Sequence, residues 1–469
     1  MNNEQATVLV VDDTPENIDV LRGILKGTYK VKVAINGMQA LKLCATDTPP
    51  DLILLDVMMP GMDGYEVCRK LKEDPRSEGI PVIFVTAKNE TRDEILGFEV
   101  GGVDYISKPV TPAVVLARVA THLKLRSAYR FIRETFGRYL SEDIVNALID
   151  TPHGLKLGGE KRKVTIMMAD LRGFTSIGER LPAETVVEMI NIFLATMTDV
   201  IQHYQGTIDE FIGDAILVIF GAPLQRDDDS LRAIRCAIDM QMAMKEVNRQ
   251  FRQRGYPEVE MGVGVHTGEV IVGNIGSHKR SKYGVVGRVV NTASRIESYT
   301  IGGQILISES TLADCGAELR IDGKMTVMPK GISHEMTLYD IGGIIDHDAP
   351  ARLPEKAEEV LTEMIPPLPV RIMQLTEKHG TDAVSGFILR AGRRDMHIRA
   401  DQPCADFSNI RISLAGISTQ NSDASFYAKV TGQIDDQSAP TFQAHATSIS
   451  GNLSTRLRQL AEKAAGNRP

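Results

Sequence analysis

The chain has 469 residues, long enough for about three domains at roughly 150 residues each. Acidic residues outnumber basic ones 61 to 53, and the net charge of −8 argues against a general nucleic-acid binder. Hydrophobic residues at 43% exclude a wholly disordered chain, and no tryptophan with only 5% aromatic residues makes a stacking platform for single strands a poor fit. The five cysteines form no CxxC pair, so neither a disulfide framework nor a cysteine zinc site is expected. No apolar run approaches the ~20 residues of a membrane span. The start, MNNEQATVLVVDD, has no basic residues ahead of its apolar run and does not read as a signal peptide, so a cytoplasmic location is expected.

Residues 1–122 alternate short β-branched runs with helical patterns. TVLVV, DLILL, PVIFV and VDYI are almost continuously apolar, as strands buried on both faces of a parallel sheet read. Helical stretches such as Glu16 to Leu25 and Gly64 to Leu71 separate them, which predicts a doubly wound α/β domain. Residues 123–157 read as a helical linker. The stripe through Leu116, Ala120 and Leu123 suits an ordinary connecting helix or a short parallel coiled coil, and Ser141 followed by acids predicts a second helix start. Residues 158–343 mix KVTIMMAD, AILVIFG, EMGVGVHTG and QILISES as strands with helices over Pro182 to His203 and Ser230 to Arg254. Residues 344–469 include a Pro-rich stretch at Ile365 to Val370. SGFILRA, NIRISLAG and SFYAKVTG then predict a β-rich domain, with a helix from about Thr455 to Ala465.

Carboxylates follow two of the first strands: Asp12 and Asp13 after TVLVV, Asp56 after DLILL. Strand ends of a parallel sheet converge on one crevice, where three acids repel one another unless a divalent cation, most plausibly Mg2+, holds them. Thr86 and Lys108 end two further strands and bring a hydroxyl and a cation to the rim. Such a set suits attack of a carboxylate on a phosphoryl group. DD, DVMMPGMDG, TA and SKP, in this order, resemble the receiver domain of response regulators. The resemblance implies that Asp56 is the phospho-acceptor. It also implies that Asp13, Asp56 and the Met58 carbonyl hold one Mg2+, with Asp12 helping through water. Thr86 and Lys108 would bind the phosphoryl oxygens, Tyr105 would switch with Thr86, and a histidine kinase or phosphotransfer protein would be the donor.

KVTIMMADLRGFTSIGERL places Asp170 at a strand end before a Gly turn, whose N–H groups around Gly173, Phe174 and Thr175 suit a polyphosphate. GTIDEFIGDAILVIFG reads as a hairpin with Asp214 at its turn. Two aspartates on adjacent strands suit a pair of Mg2+ or Mn2+ ions and in-line displacement at phosphorus. In VVNTASRIES, Asn291 and Arg295 stand one helical turn apart on one face, placed to orient a ribose and to neutralise phosphoryl charge. ADLRGFT, FIGD, FGAP and this helix together resemble the class III nucleotide cyclase catalytic domain. The resemblance implies a ferredoxin-like α/β domain that forms a 3′,5′-cyclic purine nucleotide and pyrophosphate. It further implies a homodimer whose sites take Asp170 and Asp214 from one chain and Asn291 and Arg295 from the other. Lys330, in VMPKGIS, matches the lysine expected near the terminal phosphates.

Adenylate cyclases of the family usually place Lys four residues before the second metal aspartate and Asp or Thr after the Tyr of YxxxG. Here Glu210 and Gly284 hold those positions. A Glu210 carboxylate matches the two adjacent donors of guanine and opposes adenine N1, a difference worth about 1–3 kcal/mol for a good bidentate pair. GTP is therefore favoured over ATP. In the last region, Arg390 to Arg394 gives an RxxxR and DFSNIR part of a DxSxxG, with Arg411 in place of Gly. That is weakly similar to the PilZ domain, which binds cyclic di-GMP; a plain β-rich accessory domain is the stronger expectation.

Overall fold

The protein is described by a computed structural model covering residues 5–87, 91–137, 157–277, 279–329, 332, 334–345, 351–355, 359–375, 382–414, 425–435 and 439–448. Residues 1–139 and 140–469 form two compact units.

The first unit comprises β1 (Thr7–Val11), α1 (Pro15–Leu25), β2 (Lys30–Ala34), α2 (Gly37–Cys44), β3 (Leu52–Asp56), α3 (Gly64–Glu73), β4 (Val82–Thr86), α4 (Thr91–Glu99), β5 (Asp104–Ser107) and α5 (Pro112–Gly137). The five strands form a parallel sheet in the order β2-β1-β3-β4-β5, as expected. Alternate residues of β1, β3 and β4 feed two cores, one containing Val8, Leu54 and Val85 and the other Leu9, Leu55 and Phe84. Burial of both faces explains their unbroken apolar character. β2, whose sequence KVKVA was not among the expected strands, is the sheet edge, where lysines suit a half-solvated strand. α5 runs across the domain bound expected at residue 122, in line with the connecting helix expected there. It continues to Gly137, and Leu116 and Leu123 pack against the core around Val115 and Val119. The helix expected from Ser141 lies outside the described residues, as does the one over Thr455 to Ala465.

The second unit opens with β6 (Gly158–Arg172), α6 (Phe174–Gly178), α7 (Ala183–His203), β7 (Thr207–Ile212), β8 (Ala215–Phe220), α8 (Asp229–Arg254) and β9 (Glu260–Ser277). β10 (Arg280–Val286), α9 (Arg288–Tyr299), β11 (Ile305–Ser308), α10 (Glu309–Asp314), β12 (Leu319–Val327), β13 (Met336–Ile344) and β14 (Ala351–Arg352) follow. The central strands lie in the order β9-β6-β8-β7, which with α7 and α8 is the expected ferredoxin-like arrangement. One face is covered by α7 and α8 through Phe193, Met197, Ala237 and Phe251. The other is covered by α9 through Val289 and Ala293 against Val164, Ile166 and Leu217. QILISES is only partly strand: β11 ends at Ser308, whose side chain accepts a bond from Thr311 N and caps α10.

The rest is a closed barrel of β15 (Thr362–Gln374), β16 (Val384–Ala391), β17 (Asp395–Ala400), β20 (Thr441–Ser448), β19 (Ser425–Ile434) and β18 (Asn409–Leu414), in that spatial order. Ile372, Ile388, Ile398, Ile412, Phe426 and Phe442 fill it. Pro366, Pro367 and Pro369 fall inside β15. The register with β16 shifts between Glu363 and Leu368, which accommodates residues without an N–H.

Candidate functional site

In the first unit, Asp12 after β1, Asp56 at the end of β3 and Lys108 after β5 meet in one pocket. Lys108 Nζ lies 2.8 Å from Asp12 Oδ2 and 3.0 Å from Asp56 Oδ1. Asp12 Oδ1 accepts bonds from Thr14 N at 2.9 Å and Asn17 Nδ2 at 3.0 Å, so Asn17 orients that carboxylate although sequence reasoning missed it. Carboxylate oxygens of Asp12, Asp13 and Asp56 lie within 4.8 Å of one another, a donor set that fits a hard divalent cation. Asp12 and Asp56 are buried and Asp13 is exposed. Burial pushes the Asp56 carboxyl above its usual range and Asp12 adds to this, while Lys108 opposes it. Thr86 is buried at the end of β4, and its carbonyl accepts the Lys108 backbone N–H at 2.8 Å. Tyr105 is half-buried, edge-on to Phe98 at 6.3 Å and under the Arg118 guanidinium at 5.8 Å. The Met58 side chain is exposed.

In the second unit, Asp170 stands near the end of β6 and Asp214 in the β7–β8 turn, after Gly213 at φ +66°. Because β6 pairs with β8, the two carboxylates adjoin. Burial, and then Asp170, raise the Asp214 carboxyl to about 7. Like charges held together out of water are relieved by a cation, so the pair fits divalent metal. Arg172 Nη2 lies 3.4 Å from Asp170 Oδ2 and also pairs with Glu297 of α9. Burial pulls the Arg172 guanidinium below its usual value, against the pull of Asp170 and Asp214.

Gly173 adopts φ +68°, and α6 behind it has only five residues. Phe174 is packed in the core, so it offers the turn only its backbone, while Thr175 is exposed. Asn291 is exposed and Arg295 half-buried on α9, opposite the buried Val289, Thr292, Ala293 and Ile296. Lys330 lies outside the described residues.

The two positions expected to read the base, Glu210 and Gly284, both adjoin Asp209. β7 bulges between Ile208 and Glu210, so Asp209 is the inserted residue. Lys282 Nζ bridges Asp209 Oδ2 at 3.0 Å and the exposed Glu210 Oε2 at 3.2 Å. Gly284 faces Asp209 rather than Glu210: a Cβ there would lie 2.6 Å from Asp209 Oδ1. Burial raises the Asp209 carboxyl, with Lys282 opposing. Neither Asp209 nor Lys282 was legible beforehand, because a bulge leaves no periodicity signal.

Of the RxxxR and DxSxxG residues, Arg390 is exposed, while Arg394, Asp406 and Ser408 are engaged within the unit. Arg394 Nη1 donates to Glu260 Oε2 at 2.8 Å, Asp406 Oδ1 accepts from Gln433 Nε2 at 2.7 Å, and Ser408 Oγ donates to Ala405 O at 2.6 Å.

Residues 8–120 match the family description "Response regulator receiver domain" and residues 159–343 match "Adenylate and Guanylate cyclase catalytic domain". A probable cyclic di-GMP phosphodiesterase of Vibrio cholerae is 48% identical over 120 residues, 26% of this chain and 27% of that protein. Adenylate cyclase 1 of Rhizobium meliloti is 30% identical over 240 residues, 50% of this chain and 36% of that protein. The crystal structure of the guanylyl cyclase Cya2 is 51% identical and covers 42% of this chain and all (100%) of that one, with a TM-score of 0.41. The chain thus spans only 27% and 36% of the length of these two curated relatives. It joins a response-regulator receiver domain to a catalytic domain of the class III adenylate/guanylate cyclase family.

Proposed function

We propose that this protein is a phosphorylation-controlled purine nucleotide cyclase that converts a nucleoside triphosphate, preferentially GTP, to the 3′,5′-cyclic monophosphate and pyrophosphate. The observation that carries it is the adjoining pair Asp170 and Asp214, with Asp214 raised to about 7 by burial and its neighbour. Asp170 and Asp214 would hold Mg2+ or Mn2+ ions, whose chemistry is to acidify the ribose hydroxyl and steady the triphosphate. Arg295 neutralises phosphoryl charge and Asn291 orients the ribose from the solvent-facing side of α9, where a second copy of the chain reaches them. The exposed Phe211 and Ile212 on β7 and Val286 on β10 are apolar groups for such a homodimer. The setting is cytoplasmic, and no described helix is long and apolar enough to cross a membrane.

Guanine is favoured because the Glu210 carboxylate is exposed and, although Lys282 engages Oε2, can accept the adjacent guanine donors. Lys282 beside it favours a second reading: its ammonium offers the donor that adenine N1 accepts. Purified protein with Mn2+ and equal GTP and ATP decides. A kcat/KM for ATP at or above that for GTP refutes the preference, and turnover of neither refutes the cyclase.

Asp56 accepts the phosphoryl group from a histidine kinase or phosphotransfer protein, and phosphorylation shifts the arrangement of two chains rather than acting chemically on the triphosphate. Beryllofluoride and Asp56→Ala are the probes. Unchanged rate and dimerisation under both would remove the receiver from control.

A further inference from the structure

The cleft at Asp170 and Asp214 has a second wall, built by the C-terminal barrel. The cleft holds about 460 Å3, within the range of small-molecule sites. Asp170, Arg172, Thr175 and Asp214 line one side. Leu375, Asn409, Tyr427, Ala428, Lys429 and Thr447 line the other. The polar side chains this wall offers a ligand are the Asn409 amide and the Tyr427 and Thr447 hydroxyls, since Lys429 Nζ is taken up by the carbonyls of Ser298 and Thr300. Each can donate a hydrogen bond, and none is a carboxylate. Carboxylates on one side and donors on the other complement a metal-bound polyphosphate: the acids take the cation and the donors face the anionic oxygens.

The wall is fastened at several points. Lys429, on β19, donates from Nζ to the carbonyls of Ser298 and Thr300 at the end of α9, the latter at 3.1 Å. Arg394 Nη1 reaches Glu260 Oε2 at 2.8 Å, and Arg180 Nη2 reaches Ser425 O at 3.3 Å. Phe407 meets Tyr299 edge-on at 5.5 Å. These contacts join the barrel to the helix that carries Asn291 and Arg295, to β9, which pairs with the Asp170 strand β6, and to Arg180 beyond α6, so the cleft is a joint product of both domains.

We propose that the barrel is part of the nucleotide site, with Asn409 and Tyr427 donating to the triphosphate oxygens of the bound substrate. The proposal rests on the cyclase reading, since the ligand is the triphosphate which that reading requires. It adds binding groups from outside residues 159–343, the stretch matched to the cyclase family.

The test is calorimetric titration of the full chain with Mn2+ and the non-hydrolysable α,β-methylene analogue of GTP. Wild type is compared with the Asn409→Ala/Tyr427→Phe double variant and with Asp214→Asn. Loss of two bonds to a charged ligand weakens analogue binding by about tenfold or more in the double variant. Guanosine, which lacks the phosphates, binds wild type and the double variant equally. Equal analogue affinity in wild type and double variant, with binding lost in Asp214→Asn, overturns the barrel's role and leaves the cyclase reading standing. No metal-dependent analogue binding by wild type overturns both. If the double variant melts lower than wild type, Tyr427→Phe alone, which removes one oxygen atom, carries the same comparison.

Discussion

Arg172, at the end of β6, forms a buried ion pair with Glu297 on α9, and its guanidinium also lies 3.4 Å from Asp170. The pair ties the strand that carries a candidate metal ligand to the helix that carries Asn291 and Arg295. In a homodimer with sites across its interface, those residues serve different sites, so this ion pair joins the two.

Breaking the pair from one side strands a buried guanidinium. Glu297→Gln is expected to cost about 3–5 kcal/mol of stability, read by urea denaturation. The Arg172→Met/Glu297→Gln double variant should recover much of that loss, because no buried charge is left alone. A double variant no more stable than Glu297→Gln would show that the pair is not the source of the cost.

Asp214 is held near Asp170 at the expense of the metal-free fold. Asp214→Asn removes a half-buried charge and its repulsion by Asp170 and should stabilise the metal-free chain by on the order of 2 kcal/mol at neutral pH. The same change should cut turnover roughly a thousandfold or more. Mn2+ should raise the melting temperature of wild type and leave that of Asp214→Asn unchanged. An equal Mn2+ shift in both proteins would place the metal elsewhere.

His445 sits between Asp395, at 2.7 Å, and Glu260, at 3.9 Å. Burial alone would lower its pKa, but the two carboxylates and the hydrogen bond to Asp395 hold it up at about 9. A histidine whose folded pKa is raised contributes stability that is complete below its unfolded value of about 6.5 and is lost as pH climbs through the folded value. The unfolding free energy should therefore fall between about pH 6.5 and 9, and His445→Gln should flatten that slope. Parallel pH profiles for the two proteins would exclude His445 as the cause.

Gly284 is a glycine because Asp209 fills the space beside it. Gly284→Ala would set a Cβ 2.6 Å from Asp209 Oδ1, an oxygen whose carboxylate is tied to Lys282. Overpacking of this kind costs about 1–3 kcal/mol. Displacing Asp209 also moves Lys282, and with it Glu210, so KM for GTP should rise more than the melting temperature alone explains. An unchanged KM in a destabilised variant would separate this corner from base recognition.

Much of the receiver pocket was legible because its members stand at strand ends of a parallel sheet, where chain order and spatial order coincide. Asp12, Asp56 and Lys108 needed only the strand pattern to be placed together. Asp170 and Asp214 were legible for a related reason, since a strand end and a hairpin turn mark positions on one sheet edge. Asn17 was hidden because its role depends on a side-chain bond.

Residue order and apolar periodicity by themselves determined the two α/β domains, the β-rich C-terminal region, and which acids could hold metal. Only the tertiary structure decided that Asp209 intrudes beside Gly284, that Arg172 meets Glu297, and that the barrel's Lys429 reaches the end of α9. Periodicity reports how a segment presents itself to its immediate neighbours along the chain. Contacts between segments far apart in sequence are set by the packing of whole elements, by strand register and by bulges, and none of these leaves a repeating trace in the order of residues.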